Sequence, residues 1–200
     1  MKTIFEQHGF YKEHDNKTHD IGICPFCFKE KHFYINKETN QWDCKYCGKA
    51  GGYLTFLQEI SEVSIRNFRG IKAKKLKENR GIRISTFRNH DVGFNSITGK
   101  YLLPIKNSEG KIFNIRTYEI GDKLYNTRGC KAGLYNSENL KDTTKKIWLC
   151  EGEWDTLVMD EILTKRKITT EILKMTGFRT FLEKTLMSYL TMTRQVRKDV

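Results

Sequence analysis

No apolar run in this 200-residue chain approaches the roughly 18 residues that a membrane-spanning helix needs. The N-terminal stretch MKTIFEQHGFYKEHDNK lacks the apolar core of a secretory signal, so export is not expected. There is no GxxxxGK followed by Ser or Thr, which excludes a P-loop motor within these residues. No proline-rich or Gly-Ser tract marks a linker. Acidic residues are the scarcer sign, 24 against 36 Lys and Arg, which leaves a net charge of +12. That surplus favours polyanionic partners, nucleic acid above all, and says nothing about fold.

What is present begins with cysteine. In a reducing cytoplasm, clustered cysteines mean metal or chemistry rather than disulfides. Four of the six fall as CPFC (Cys24, Cys27) and CKYC (Cys44, Cys47), separated by sixteen residues. Two such knuckles set four thiolates at the corners of a tetrahedron, which suits zinc. The spacer is long enough for a hairpin, with KHFYINKE and NQWDCK as short strands around a turn at NKETN. A redox pair or an iron–sulfur site does not account for two evenly built knuckles around one hairpin. Metal binding would supply folding energy that so small a ribbon cannot draw from its core. Phe26, Phe28, Phe33, Tyr34, Trp42 and Tyr46 crowd the same segment. They read either as the ribbon's small core or as a platform for unstacked bases. His32 reads as a surface histidine, and Cys130 and Cys150 as packing thiols.

The stretch CPFCFKEKHFYINKETNQWDCKYCGKAGGYLTFL resembles the zinc ribbon of bacterial and phage DNA primases. That pattern has Cys-Pro-x-(His or Cys), a Glu-Lys pair, a hairpin, a second knuckle with glycines, and a short helix. Cysteine at Cys27, where cellular bacterial primases usually carry histidine, makes it similar to the phage primase-helicase branch. The resemblance implies structural zinc, a role in selecting the template site, and a phage or prophage origin in a bacterial cytoplasm.

Beyond the ribbon, residues 61–80 carry Lys72, Lys74, Lys75, Lys77 and Arg80. They read as a basic linker, either a solvated face or a phosphate contact. KYLLPIKNSEGKIFNIRTYEIGDKLYNT reads as antiparallel strands with turns at NSEG and IGD and a proline suited to a sheet edge. This stretch resembles the first part of the primase core. The resemblance implies that Arg116, Lys123 and Lys131 neutralise template or nucleotide phosphates.

IWLCEGEWDTLVM places Glu151, Glu153 and Asp155 directly after an apolar strand, with Gly152 at the turn and a helix beyond. Ligands of open α/β sheets gather beyond the carboxyl ends of the strands, so acids there face a site. Acids in a first helical turn also complement the macrodipole, which is the reading that suits Glu153. EGEWD is similar to the first motif of the Toprim catalytic domain. That resemblance implies Glu151 as the catalytic carboxylate, Asp155 as its support, and magnesium as catalytic cofactor beside the structural zinc. The reaction implied is nucleotidyl transfer, which is mostly positioning and charge neutralisation.

The Toprim pattern also requires a second motif, Asp-x-Asp, and none follows Asp155 in this frame. Read with each codon taking the last base of one residue and two of the next, the tail permits Asp-Asp-Asp-Lys-Ala-Gly over Leu190 to Val196. Only the Asp at the Met192–Thr193 junction is forced. The tail is therefore expected to be frameshifted and the chain catalytically impaired. The expected fold is α+β: a zinc-ribbon β domain over 1–60, the basic linker over 61–80, and the start of a primase core over 81–144. The first part of a Rossmann-like Toprim domain follows over 145–177, then the tail over 178–200. The partners implied are single-stranded DNA, ribonucleotides and a replicative helicase, with no membrane. The rival reading is a non-enzymatic zinc-ribbon accessory protein that binds single-stranded DNA.

Overall fold

The computed structural model describes residues 2–139, 147–165 and 171–174, so the expected frameshift over 178–200 lies outside the described residues. A short helix α1 (Ile4–Gln7) opens the chain, closed by a reciprocal capping box. Glu6 N donates to Thr3 Oγ1 at 3.2 Å and Thr3 N to Glu6 Oε2 at 2.7 Å. Five antiparallel strands follow in chain order: β1 (Tyr11–Asp15), β2 (His19–Ile23), β3 (Phe33–Asn36), β4 (Trp42–Cys44) and β5 (Ala50–Gly51). The expected hairpin is β3–β4, with Ile35 opposite Trp42 and Phe33 opposite Cys44. Tyr11 and Ile23 pair across β1–β2, and Gly22 is required there, because a Cβ would sit 2.0 Å from the Tyr11 carbonyl. Alternation along β3 aims Phe33 and Ile35 at one face, where they meet Phe5, Phe10, Trp42 and Phe56 in a mostly aromatic core.

Next come α2 (Tyr53–Asn67), α3 (Gly70–Arg80) and α4 (Ile84–Asn89). A four-stranded antiparallel sheet follows in chain order: β6 (Gly93–Asn95), β7 (Lys100–Lys106), β8 (Ile112–Tyr118) and β9 (Leu124–Asn126). Both faces of this sheet are covered, which is why KYLLPIK runs apolar without alternating. One face, with Leu102 and Ile115, packs on Leu57 and Ile60 of α2. Gly93 belongs to that face too, and a Cβ there would meet Ser64 at 2.7 Å, so small residues let α2 lie close on β6. The other face, with Tyr101, Leu103, Ile105 and Tyr118, packs on Ala73, Leu76 and Phe87 of α3 and α4.

Two expectations meet a different structure. Residues 61–80 form the second half of α2 and all of α3, with Ala73 and Leu76 buried at 1% and 0% exposure, so this segment packs in the core. Pro104 lies in β7, an inner strand. It is tolerated because β6 pairs with β7 only over Lys100 to Leu102, leaving that side of the strand open beyond. The last described unit is β10 (Ile147–Cys150), α5 (Glu153–Lys165) and β11 (Glu171–Lys174), with β10 and β11 parallel and α5 as the crossover.

The N-terminal segment is pinned to the second sheet. His8 Nε2 lies 2.8 Å from Thr127 Oγ1, and Asn95 Nδ2 donates to the His8 carbonyl at 2.9 Å. Gln7 and Arg128 exchange two hydrogen bonds, 2.8 and 3.1 Å. Burial, aided by the charge of Lys100, holds the His8 imidazole down at about 4 from its ordinary 6.5. The unfolded chain therefore takes up that proton first, and stability should fall as pH drops from about 6.5 toward 4, by up to about 3 kcal/mol. The urea midpoint at pH 5 against pH 7.5 measures the loss, and His8→Gln should shrink it. Ile60→Ala, which empties the α2–sheet contact, should cost about 2–5 kcal/mol, with ribbon and sheet lost in one transition. Two separated transitions would contradict that coupling.

Candidate metal centre and carboxylate site

The four knuckle cysteines converge. Their sulfurs all lie within 4.8 Å of one another, with Cys24 to Cys47 at 4.0 Å and Cys27 to Cys44 at 3.8 Å. A tetrahedron of zinc–sulfur bonds of about 2.3 Å requires sulfurs about 3.8 Å apart, so the donor set fits zinc. The two knuckles repeat one backbone pattern. Cys24 N donates to the Lys29 carbonyl and Phe28 N to that of Cys24, while Cys44 N donates to Lys49 and Gly48 N to Cys44. The residue that curls the chain back has positive φ in both, +73° at Gly48 and +60° at Phe28. Glycine accepts this freely and phenylalanine does not. Burial, first of all, pushes the Cys24 thiol up, so a thiolate there needs a cation beside it.

The ribbon's aromatics divide. Phe33 and Trp42 are core, Phe26 packs against them, and Phe28 and Tyr46 remain 60% and 63% exposed. Lys29 lies over the Tyr46 ring at 5.2 Å and Lys45 over Tyr34 at 5.8 Å. His32 packs its ring on Tyr46. Cys130 packs against the α2–sheet cluster, and burial lifts the Cys150 thiol to about 11.

Later in the chain, β10 ends at Cys150 and the backbone turns through Glu151 and Gly152 into α5. The Gly152 carbonyl accepts from Thr156 N at 3.0 Å and from Thr156 Oγ1 at 2.9 Å, fixing the first turn. Glu151 and Asp155 are exposed at this strand end. Glu153 is not a solvated first-turn acid. It is 2% exposed, and its Oε1 lies 3.0 Å from Arg116 Nε. This is an ion pair by distance, without a well-aimed Nε–H hydrogen bond. Arg116 reaches it from the helix-covered face of β8 and is 6% exposed, so its charge is met inside the protein. Lys123, in the turn before β9, and Lys131, beyond it, are exposed. Asn114, fully buried, donates to the Lys131 carbonyl at 2.8 Å and so anchors that lysine's backbone.

Further contacts seat α5. The Arg80 guanidinium lies 4.5 Å from the Tyr118 ring and 4.4 Å from the Trp154 ring. Glu161 Oε2 accepts from Arg83 N at 2.9 Å, and its Oε1 pairs with Arg83 Nε at 3.0 Å. His90 meets Asp160 at 3.2 Å and stacks on Tyr135, whose hydroxyl is held well above its ordinary pKa by burial and then by nearby carboxylates. Sequence reasoning places Arg80 in a basic linker, on a solvated face or at a phosphate contact. The signal that could have moved it was its position on the helix: Ala73, Leu76 and Arg80 share one face. Among the described residues, the four cysteines are the metal-ligand cluster; Glu151 and Asp155 stand without a third carboxylate.

No protein-family model matches the sequence, and no curated protein matches it. Solved structures do. A DnaG primase catalytic domain bound to single-stranded DNA superposes with a TM-score of 0.50 at 14% identity, covering 64% of this chain and 54% of that one. The fold is that of the primase catalytic core. A primase of Aquifex aeolicus with zinc-binding and RNA polymerase domains (TM-score 0.41, 13% identity) covers 87% of this chain and 66% of its own. The primase fragment of the bacteriophage T7 primase-helicase (0.41, 16%) covers 78% and 68%. The chain thus spans about half the length of the primase catalytic domains it resembles.

Removing Glu153 leaves Arg116 buried and unpaired. Glu153→Ala should therefore cost about 3–5 kcal/mol, while Glu151→Gln, at an exposed position, should stay within about 0.5 kcal/mol. Urea denaturation of the two variants checks the contrast; equal losses would contradict the assignment of buried and exposed acids.

Proposed function

We propose that this chain is the template-binding and primase-core portion of a DNA primase, which makes short RNA primers on single-stranded DNA during replication. One observation carries the reading: on a primase-core fold, Glu151 and Asp155 stand exposed at the carboxyl end of β10, the place where an α/β sheet puts its ligands. Glu151 is the carboxylate nearest the strand end and Asp155 its support one helical turn on. These two would hold magnesium, which supplies charge neutralisation at the transferring phosphate. Lys123 and Lys131 contact phosphates of template or incoming ribonucleotide. Arg116, engaged by Glu153, acts from behind the site. The ribbon, through residue 60, holds zinc on Cys24, Cys27, Cys44 and Cys47 and offers Phe28 and Tyr46 as stacking surfaces for unpaired bases. A replicative helicase partner, a phage or prophage source and a cytoplasmic setting belong to the same reading. Among the described residues no helix is long and apolar enough to cross a membrane.

The sequence holds one acidic motif of the two that the Toprim pattern needs, so the 200-residue chain should bind template yet make little primer. Correcting the frame across the tail should restore template-directed, magnesium-dependent ribonucleotide incorporation, provided the corrected frame stays open far enough to complete the domain. Glu151→Gln in that protein should lower synthesis by at least about 100-fold and spare DNA binding. Single-stranded DNA binding that persists without synthesis in the corrected protein would favour the accessory-protein reading. Metal analysis should return one zinc per chain and none after Cys44→Ser; an iron–sulfur absorbance would refute the zinc centre.

A further inference from the structure

Residues 66–80 hold seven cations, Arg66, Arg69, Lys72, Lys74, Lys75, Lys77 and Arg80, against one carboxylate, Glu78. That is a net +6, half of the chain's +12. Arg80 turns inward to Trp154 and Tyr118, while Ala73 and Leu76 are buried. Lys72, Lys74, Lys75 and Lys77 stay exposed around the remaining half of α3. Lys72 and Lys75, like Lys74 and Lys77, are spaced as neighbours on a helix, where like charges cost about 0.2–0.5 kcal/mol per pair. The one compensating contact within the helix is loose: Lys74 to Glu78 at 3.9 Å, with the two side chains 71% and 62% exposed. A face kept only for solvation interleaves both signs. This one accumulates a single sign at a cost to the helix.

We propose that the solvent face of α3 is a second phosphate-contacting surface, taking the backbone of a single nucleic-acid strand and leading it toward the carboxylate end of β10. The inference rests on the primase reading and deepens it. Nucleic acid fits better than an acidic protein segment, because the face offers charge at regular spacing and one exposed apolar side chain, Ile71. It can count phosphates but has little with which to grip side chains. The surface also has a direction. At its C-terminal end, Arg80 lies against Trp154 in the first turn of α5, and Asn79 accepts from the Tyr118 hydroxyl at 2.8 Å. Eleven residues of helix rise about 16 Å, room for about three phosphates of an extended strand. A strand crossing α3 therefore arrives beside Glu151 and Asp155 and remains separate from the ribbon's aromatic edge.

The test uses the zinc-loaded 200-residue chain and a fluorescent 20-nucleotide oligothymidylate, titrated between 50 and 200 mM salt. The variant is K72Q/K74Q/K75Q/K77Q, and the control is K2Q/K17Q/K31Q/K111Q, also at exposed positions. Circular dichroism and zinc content verify that both fold. Single strands contribute a slope of about 0.7 per phosphate contact, so the α3 variant should flatten the log–log salt slope by about 2 and weaken binding at 50 mM salt by about 10- to 100-fold. The control should change each far less. An α3 variant indistinguishable from wild type overturns the inference and leaves the primase reading standing. Equal losses in both variants overturn it in favour of bulk charge. If the α3 variant loses affinity for a polyglutamate peptide but keeps its affinity for the oligonucleotide, the surface belongs to a protein partner. A wild-type chain that binds no oligonucleotide overturns this inference and the primase reading together.

Discussion

One helix closes two cores. On α2, Phe56 belongs to the aromatic cluster under the ribbon, while its neighbour Leu57, and Ile60 a turn later, belong to the cluster on the four-stranded sheet. Consecutive residues of a helix point about 100° apart, so a helix wedged between two layers can serve both. Neither layer then keeps its core if α2 leaves. The pins at Gln7 and His8 act in the same sense, drawing the ribbon's first segment onto Thr127 and Arg128. His8 is buried neutral at pH 7, and burial together with the nearby Lys100 charge disfavours a proton on its ring.

The same economy of apolar surface explains the helices that follow. A sheet buried on both faces needs cover on each side, and residues 61–80 supply part of it. Their sequence conceals this. The buried apolar residues of α3 are Ala73 and Leu76, in a helix otherwise rich in lysine. A composition reading sees the lysines, whereas the fold depends on the two residues spaced i, i+3. Pro104 misleads in a related way. It marks the open side of an inner strand, and pairing on that side ends because β6 is short.

Legibility tracked how local the chemistry is. The zinc knuckles, the β3–β4 hairpin and the strand–turn–helix at Glu151 are each encoded within a few neighbouring residues, and the structure has all three. β1 and β2 were not foreseen. YKEHD has no apolar face, and it is a strand because β2, itself paired on β3, offers it a partner edge. Glu153 was unreadable for a similar reason. Its partner lies 37 positions earlier on β8, and no local pattern couples Arg116 to it. A buried carboxylate is tolerated only with such a partner, so its burial is a fact of tertiary structure.

That division among neighbouring acids bears on how a basic protein could keep the proposed cation site. Glu153 spends its charge on Arg116 inside the protein, which leaves Glu151 and Asp155 to face solvent. In a chain of net +12, the long-range field favours polyanions and disfavours a divalent cation. That field is screened within about 8 Å at physiological ionic strength, so two exposed carboxylates can set a local potential of the opposite sign. The lysine face of α3 and the acidic end of β10 then act on different ranges. On the proposed reading, the first would gather a phosphate backbone, and the second would govern the few ångströms in which a metal-bound phosphate would sit. Had Glu153 also faced outward, Arg116 would have been left buried without a counter-charge, and one of the contacts that seat α5 would have been lost.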